Sequence, residues 1–124
     1  MKCIFCDFKN DKEKVVLGND LAYAIFDGFP VNEGHMLIIP KRHAETYFDL
    51  TEEEIKSMNE LAFEAKKLLD SKYHPDGYNI GLNCGEYAGQ TIFHCHMHII
   101  PRYKGDTPNP RGGVRNIIKG NSKY

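Results

Sequence analysis

The sequence predicts an α+β fold, in which short strands form an antiparallel sheet and one long helix packs on it. Two apolar runs, LAYAIFDGFP at 21–30 and HMLIIP at 35–40, have the length of strands and end at Gly and Pro residues. A helical pattern follows them, and two further strand-like segments follow the helix. Strands that are neighbours along the chain favour an antiparallel sheet with the helix on one face.

The predicted helix begins near Thr51, because Thr51 and Glu54 match a capping box. The segment from His74 to Gly77, with its Pro and Gly, is expected to end it. We interpret this helix as a packing element rather than as part of a site. Its apolar residues recur at helical spacing, at Ile55, Met58, Leu61, Ala62, Ala65, Leu68 and Leu69.

Three segments follow the helix. YNIGLN at 78–83 is predicted to be a strand, and the Gly-containing CGEYAGQ after it a loop. TIFHCHMHII at 91–100 is predicted to be the next strand, ended by Pro101. The tail at 104–124 is rich in Pro and Gly and is predicted to be irregular.

Length and composition limit the class of protein. A chain of 124 residues predicts a single domain over 1–124, in which 1–20 form an N-terminal segment. The formal net charge of −1 argues against a nucleic-acid partner held by charge. No apolar run has membrane-spanning length, and the N-terminus shows no signal-peptide pattern. The expected location is therefore cytoplasmic, without a membrane partner.

His94, His96 and His98 occupy every second position of an apolar run. On a strand they would share one face, and Cys95, Met97 and Ile99 would lie on the other face, buried against the helix. Three interpretations stay open from the residues alone. The histidines are a chance cluster, they hold a metal ion together, or one of them is a nucleophile.

The nucleophile interpretation rests on imidazole chemistry. A histidine with an ordinary pKa is largely neutral at pH 7 and can attack phosphorus, which gives a phosphoramidate intermediate that water cleaves. Flanking histidines can bind phosphate oxygens or donate a proton to the leaving group. The Gly-rich loop before the run can present backbone N–H groups to an anion.

The run HCHMHII at 94–100, preceded by GQT, resembles the signature of the histidine triad (HIT) family, His-φ-His-φ-His-φ-φ with φ apolar. NEGHMLIIPKRH, the helix after FDLT, and GLNCGEYAGQT resemble the same family in order and spacing. The resemblance extends from residue 1 to about residue 105. It implies a HIT-like fold with about five strands, and a homodimer formed by extension of the sheet and packing of the long helix.

The resemblance also implies a nucleotide-binding protein that transfers or hydrolyses the group on the α-phosphate. His96 would be the nucleophile, attacking through Nε2 while a backbone carbonyl holds its Nδ1–H. His98 would contact the α-phosphate or the leaving group. The implied substrate contacts are Gln90 and Thr91 with phosphate, Asn83 and His35 within the nucleotide site, Asp27 near the ribose, and Ile25 and Phe26 against the base.

Cys3 and Cys6 form a C-x-x-C motif at the start of the chain. There is no room for the strand that a thioredoxin-like motif needs before it, and the spacing to later histidines does not fit a zinc finger. The HIT resemblance implies a structural zinc ion bound by Cys3, Cys6, His43 and His94, which makes His94 a metal ligand rather than a substrate ligand. The alternative is two reduced cysteines in a mobile N-terminal segment.

The segment IPRYKGD after the histidines resembles the HIT branch that acts on dinucleoside polyphosphates. The predicted function is therefore a diadenosine polyphosphate hydrolase that releases AMP. The alternatives are a nucleoside 5′-phosphoramidate hydrolase, a zinc-dependent hydrolase, and a non-catalytic nucleotide-binding sensor or scaffold. Arg111 and Arg115 are interpreted as solvated charges of the tail rather than as phosphate ligands.

Overall fold

A computed structural model describes residues 2–119, which form one antiparallel sheet, a short helix and a long helix. The helices are α1 (Ile4–Phe8) and α2 (Glu52–Tyr73), and the strands are β1 (Leu17–Gly18), β2 (Ala22–Phe26), β3 (Met36–Pro40), β4 (Gly77–Gly81) and β5 (Met97–Arg102). The strand order is β1-β2-β3-β5-β4, and each neighbouring pair is antiparallel. The predicted α+β class and the sheet of five strands are confirmed.

The long helix α2 begins and ends where the sequence predicts. Thr51 Oγ1 accepts from the Glu54 N–H, and the Glu54 carboxylate accepts from the Thr51 N–H, which completes the capping box. His74 adopts the left-handed conformation with φ 54° and ends the helix. Across residues 2–119, no helix combines the length and the hydropathy needed to cross a lipid bilayer.

Glu54 joins α2 to the segment after β3. Its carboxylate accepts from Arg42 Nε at 3.0 Å and from Arg42 Nη2 at 2.8 Å, although the side chain of Glu54 is only 4% exposed. The hydrogen bonds from Arg42 hold the pKa of this carboxyl below its usual value. The pair fixes the segment that carries His43.

We expect Glu54→Ala to lower the free energy of unfolding by about 2 kcal/mol, because it removes the Glu54 half of the capping box and the partner of Arg42. Urea unfolding followed by far-UV circular dichroism measures the change. Glu53→Ala is the matched control, since Glu53 is an exposed acid in the same helical turn. Equal urea midpoints for the two variants would contradict the assignment.

The sheet is covered on both faces. Side chains of α2 such as Met58 and Leu69 cover one face, where they pack against Cys95, Met97 and Ile99 as predicted. The N-terminal segment covers the other face, where Phe5 and Phe8 join a cluster containing Tyr23, Ile25, Leu37 and Ile39. The short helix α1 was not predicted.

The histidine run departs from the prediction in two ways. Strand β5 begins at Met97, so His94 and His96 lie before it, in a segment whose Cys95 N–H donates to Ala44 O at 2.7 Å. The strand also continues through Pro101 instead of ending there. The Arg102 carbonyl oxygen accepts from the Asp76 N–H, on the β4 side of the strand. Backbone hydrogen-bonding groups alternate sides along a strand, so those of Pro101 face the β3 side. They lie beyond Met36, where the pairing of β3 with β5 ends, and a proline is tolerated there.

The beginning of the tail is attached to the sheet by Asp106. Its carboxylate accepts from Arg102 Nε and Nη2, each at 2.8 Å, and from Asn32 Nδ2 at 2.7 Å. The tail then forms a 3₁₀ turn at Gly113–Ile117. Residues 120–124 of the predicted irregular tail lie outside the described residues.

Candidate functional site

A cavity of about 640 Å³ lies between the N-terminal segment and the face of the sheet opposite α2. His96 and His98 both line it, and their ring centroids are 5.1 Å apart. Five other residues singled out from the sequence also line it, namely Ile25, Phe26, Asp27, Asn83 and Thr91. The cavity therefore combines an apolar wall with a pair of imidazoles.

The orientation of the His96 ring is fixed by a backbone carbonyl. His96 Nδ1 lies 2.8 Å from His94 O. A carbonyl oxygen only accepts hydrogen bonds, so Nδ1 carries the proton and Nε2 carries the lone pair. This is the hydrogen bond that the family resemblance implied, and it leaves Nε2 as the basic atom of the ring.

A chain of hydrogen bonds also fixes His98. The Val31 N–H donates to His35 Nδ1 at 3.0 Å, so the proton of a neutral His35 is on Nε2. His35 Nε2 lies 2.9 Å from His98 Nδ1, which must then accept. The proton of a neutral His98 is therefore on its Nε2. His35 is 2% exposed and lies behind His98, where it supports that ring.

The backbone places His35 through the preceding glycine. Gly34 has φ 88°, and a Cβ there would lie 2.9 Å from the Tyr73 ring and 3.1 Å from Leu69. Glycine therefore allows the turn to approach α2 closely, with His35 following directly.

Asp27 completes this cluster at the end of β2. Its Oδ2 lies 3.4 Å from His35 Nε2, and its Oδ1 accepts from the Phe29 N–H at 2.8 Å. The ligand atoms of Asp27, His35 and His98 lie within 4.8 Å of one another, close enough for a metal ion. The hydrogen bonds just described account for the same distances.

A second cluster, the Cys/His cluster, consists of Cys3, Cys6, His43 and His94, whose ligand atoms lie within 4.8 Å of one another. His94 Nδ1 is 3.3 Å from Cys3 Sγ and 3.5 Å from Cys6 Sγ, and His43 Nδ1 is 3.5 Å from Cys6 Sγ. Ligands of a tetrahedral zinc ion would have S···N separations of about 3.6 Å. The spacing of the cluster therefore fits zinc.

The protonation of His94 fits a metal ligand as well. His94 is fully buried, and its Nε2 lies 2.7 Å from Pro40 O. Because that carbonyl accepts, Nε2 carries the proton and the Nδ1 lone pair faces the two sulfurs. A ligating histidine commonly donates its other ring N–H in this way.

Residues 9–105 match the HIT domain. The chain belongs to the HIT family. A HIT-like protein of Mycoplasma pneumoniae is 42% identical over 104 residues, which are 82% of this chain and 72% of that protein. The family includes proteins from bacteria and archaea.

Two further relatives carry chemical information in their names. A zinc-bound histidine triad family protein from Mycobacterium smegmatis has a crystal structure that superposes with a TM-score of 0.78 at 32% identity, covering 88% of this chain and 81% of that one. An AP-4-A phosphorylase from Mycobacterium tuberculosis is 33% identical over 99 residues, which are 78% of this chain and 51% of that protein.

Within this HIT domain, Gln90 does not lie where the resemblance suggested. The side chain is 3% exposed; Oε1 accepts from the Gly85 N–H at 2.8 Å, and Nε2 donates to Glu45 O at 2.6 Å and to Ile92 O at 3.1 Å. Backbone groups thus occupy its polar atoms, so the predicted contact between Gln90 and phosphate is corrected. Gln90 braces the loop, and Thr91 beside it lines the cavity.

The apolar wall also differs from the prediction. Ile25 belongs to the cluster on the cavity side of the sheet. Phe26 borders the cavity, but its ring packs edge-on against Tyr73 with centroids 6.5 Å apart. Sequence reasoning missed Phe5 and Phe8 of α1, which line the cavity. The signal was present in their i, i+3 spacing around Cys6, but five residues are too few to show a period.

Burial lowers the pKa of the His98 imidazole to about 4, with the neighbouring His96 and His35 acting in the same direction. In the unfolded chain His98 titrates near 6.5. Between pH 6.5 and pH 4 the unfolded state therefore binds more protons than the native state. The contribution of His98 to the free energy of unfolding is full above pH 6.5 and is lost as the pH falls toward 4.

We expect the free energy of unfolding of His98→Asn to fall less than that of the wild type between pH 7 and pH 4.5. Urea unfolding at several pH values measures both slopes. His74→Asn is the control, because His74 is exposed and its left-handed backbone suits asparagine. Identical slopes for the wild type and His98→Asn would refute the assignment.

Proposed function

We propose that this HIT protein binds nucleotides and hydrolyses diadenosine polyphosphates at the α-phosphate through a nucleotidyl-His96 intermediate. One observation carries the proposal: the hydrogen bond from His96 Nδ1–H to His94 O leaves the Nε2 lone pair as the attacking atom, on a ring that lines the cavity beside His98. An imidazole held in this tautomer is an effective nucleophile at neutral pH.

The reaction has two steps with the same phosphorus atom. His96 Nε2 forms a bond to the α-phosphorus while the P–O bond to the remaining polyphosphate breaks, and the leaving oxygen keeps the electron pair. Water then attacks that phosphorus, the P–N bond breaks and AMP is released. Each displacement exchanges one bond for another, and no oxidant or reductant is required.

His98 would act as a hydrogen-bond donor. With a pKa of about 4 its imidazole is neutral at pH 7, and the His35 contact leaves its proton on Nε2. Such a group can stabilise charge that develops on a phosphate oxygen or on the leaving oxygen. Asp27, Asn83 and Thr91 line the same cavity and would contact the ribose and the phosphates.

The substrate class is supported by a relative and by the shape of the cavity. The relative from Mycobacterium tuberculosis is named an AP-4-A phosphorylase. The apolar residues Ile25, Leu37 and Phe8 line the cavity and offer a surface for a planar base. That relative's name also favours a second candidate, in which inorganic phosphate rather than water attacks the nucleotidyl-His96 intermediate and releases ADP.

We further propose that zinc occupies the Cys/His cluster. Four protein ligands make a closed site, so zinc would stabilise the fold and attach the N-terminal segment to the histidine run.

We also propose a homodimer through α2, where Ile55 and the 75% exposed Phe63 lie on one surface groove. Analytical ultracentrifugation of the wild type and Phe63→Glu tests this arrangement.

Product chromatography tests the function. The zinc-loaded protein is incubated with diadenosine tetraphosphate or with adenosine 5′-phosphoramidate, each with and without inorganic phosphate. AMP and ATP from the first substrate support the hydrolase, whereas ADP that forms only with phosphate supports the phosphorylase. Faster cleavage of the phosphoramidate supports the phosphoramidase. Tight AMP binding without turnover of either substrate would replace the enzyme proposal with a nucleotide sensor.

A further inference from the structure

Phe5 lies between the Cys/His cluster and His96. It stands between Cys3 and Cys6 in the sequence, and its ring is 2% exposed. The ring centroid is 5.9 Å from that of His94 in an edge-on arrangement, and 5.0 Å from that of His96. A single side chain therefore contacts both a residue of the Cys/His cluster and the proposed nucleophile.

The helix that carries Phe5 depends on other parts of the chain. It has five residues, and among residues 2–119 no side chain caps its N-terminus. A helix of this length is unstable alone. The buried Tyr23 hydroxyl donates to Phe5 O, and Cys3 and Cys6 hold both ends of the motif in the Cys/His cluster. A metal ion there would fix α1 far more firmly than the single hydrogen bond.

The same helix forms part of the wall of the cavity. Ile4, Phe5 and Phe8 all line it, together with Ile25 and Leu37 from the sheet. A displacement of α1 would open this wall, expose the apolar face of the sheet and remove the ring that packs on His96. The geometry thus connects occupancy of the Cys/His cluster with the shape of the nucleotide site.

We propose that Phe5 is a positioning residue through which a metal ion in the Cys/His cluster controls nucleotide affinity. The inference rests on the proposed function for the identity of the ligand. Metal binding holds α1, α1 holds the Phe5 ring, and the ring closes the cavity and orients the His96 imidazole. By thermodynamic linkage, a nucleotide in the cavity must raise metal affinity by the same factor by which the metal raises nucleotide affinity.

The test measures this linkage with zinc and AMP. The zinc affinity of the wild type is determined by competition with a chromogenic chelator, with and without saturating AMP, and the effect of AMP on the chelator alone is subtracted. AMP should raise zinc affinity by roughly tenfold, a typical coupling between sites. In Phe5→Ala this effect should vanish, while Phe48→Ala, which alters an 82% exposed phenylalanine, should behave as the wild type.

Calorimetry with AMP gives the second measurement. Zinc-loaded Phe5→Ala, checked for full zinc content and a cooperative thermal transition, should bind AMP roughly tenfold more weakly, because it loses the coupling through which the metal raises nucleotide affinity. Phe5→Leu should recover part of the affinity because it restores apolar volume. A simple loss of stability would not rank the AMP affinities of the zinc-loaded proteins as wild type, then Phe5→Leu, then Phe5→Ala.

The outcomes separate the two proposals. If AMP binds the wild type but leaves zinc affinity unchanged, or if Phe5→Ala keeps the full linkage, the role of Phe5 is refuted and the proposed function stands. If the zinc-loaded wild type binds no AMP, the proposed nucleotide site itself is refuted. A Phe5→Ala protein that fails to fold is replaced by Phe5→Leu, whose linkage must then lie between zero and the wild-type value.

Discussion

His96→Asn should abolish the release of AMP from diadenosine tetraphosphate, with kcat/KM reduced by at least about 10⁴-fold. Asparagine keeps a small polar side chain at this position but has no basic nitrogen that can attack phosphorus. The loss should appear in kcat, because the cavity and its apolar wall remain. Initial rates measured by product chromatography over a range of substrate concentrations separate kcat from KM.

Two comparisons make the His96 result specific. His74→Asn removes a histidine at the end of α2 and should keep wild-type turnover. His98→Asn should lower kcat by a smaller factor, on the order of 10²–10³, since it removes a hydrogen-bond donor and leaves the nucleophile. Calorimetry should show AMP binding to His96→Asn. Turnover by His96→Asn within tenfold of the wild type would exclude the nucleotidyl-His96 intermediate.

The features that sequence predicted best are those determined by neighbouring residues. The capping box of Thr51 and Glu54 and the end of α2 at His74 follow from contacts within one turn of helix, so their residues are enough to locate them. The alternation of Cys95, Met97 and Ile99 toward α2 likewise needs only the period of an extended chain.

The features that sequence missed depend on distant residues. His94 and His96 lie before the strand because Cys95 bonds to Ala44, about fifty positions away, and no local pattern contains that contact. Gln90 was expected to contact phosphate, but its side chain is buried and forms hydrogen bonds with Glu45 O and with nearby backbone groups. The proton positions on His35 and His98 depend on Val31, whose N–H has no side-chain signature in the sequence.

The Cys/His cluster shows a case in which the family resemblance carried more information than the spacing of the residues. Cys6 and His43 are 37 positions apart, and Cys3 and His94 are 91 positions apart, so no zinc-finger spacing applies. The family resemblance nevertheless named these four residues, and the structure brings them together. The four side chains connect α1, the segment after β3 and the histidine run.

Removal of the proposed zinc ion should therefore lower stability rather than stop chemistry directly. At free zinc a thousandfold above its Kd, binding to the native state alone adds about 4 kcal/mol to the free energy of unfolding. For a chain of this size, chelation should lower Tm by more than about 10 °C. Calorimetric scans of the zinc-loaded and chelated protein measure this, and the core between the sheet and α2 should keep the chelated protein folded at 25 °C.

Cys6→Ser should reproduce the effect of chelation, because it removes one of four ligands. Cys84→Ser should keep the wild-type Tm, since Cys84 lies outside the cluster.

The comparison of zinc-loaded and chelated protein also tests a catalytic role for zinc. His94 Nδ1 faces the sulfurs, whereas the imidazole of His96 lines the cavity. A metal ion in the cluster would therefore be bound by His94 and not by the proposed nucleophile. Chelated protein with wild-type Tm but no turnover at saturating substrate would reverse this assignment, because zinc would then act on the substrate and not on the fold.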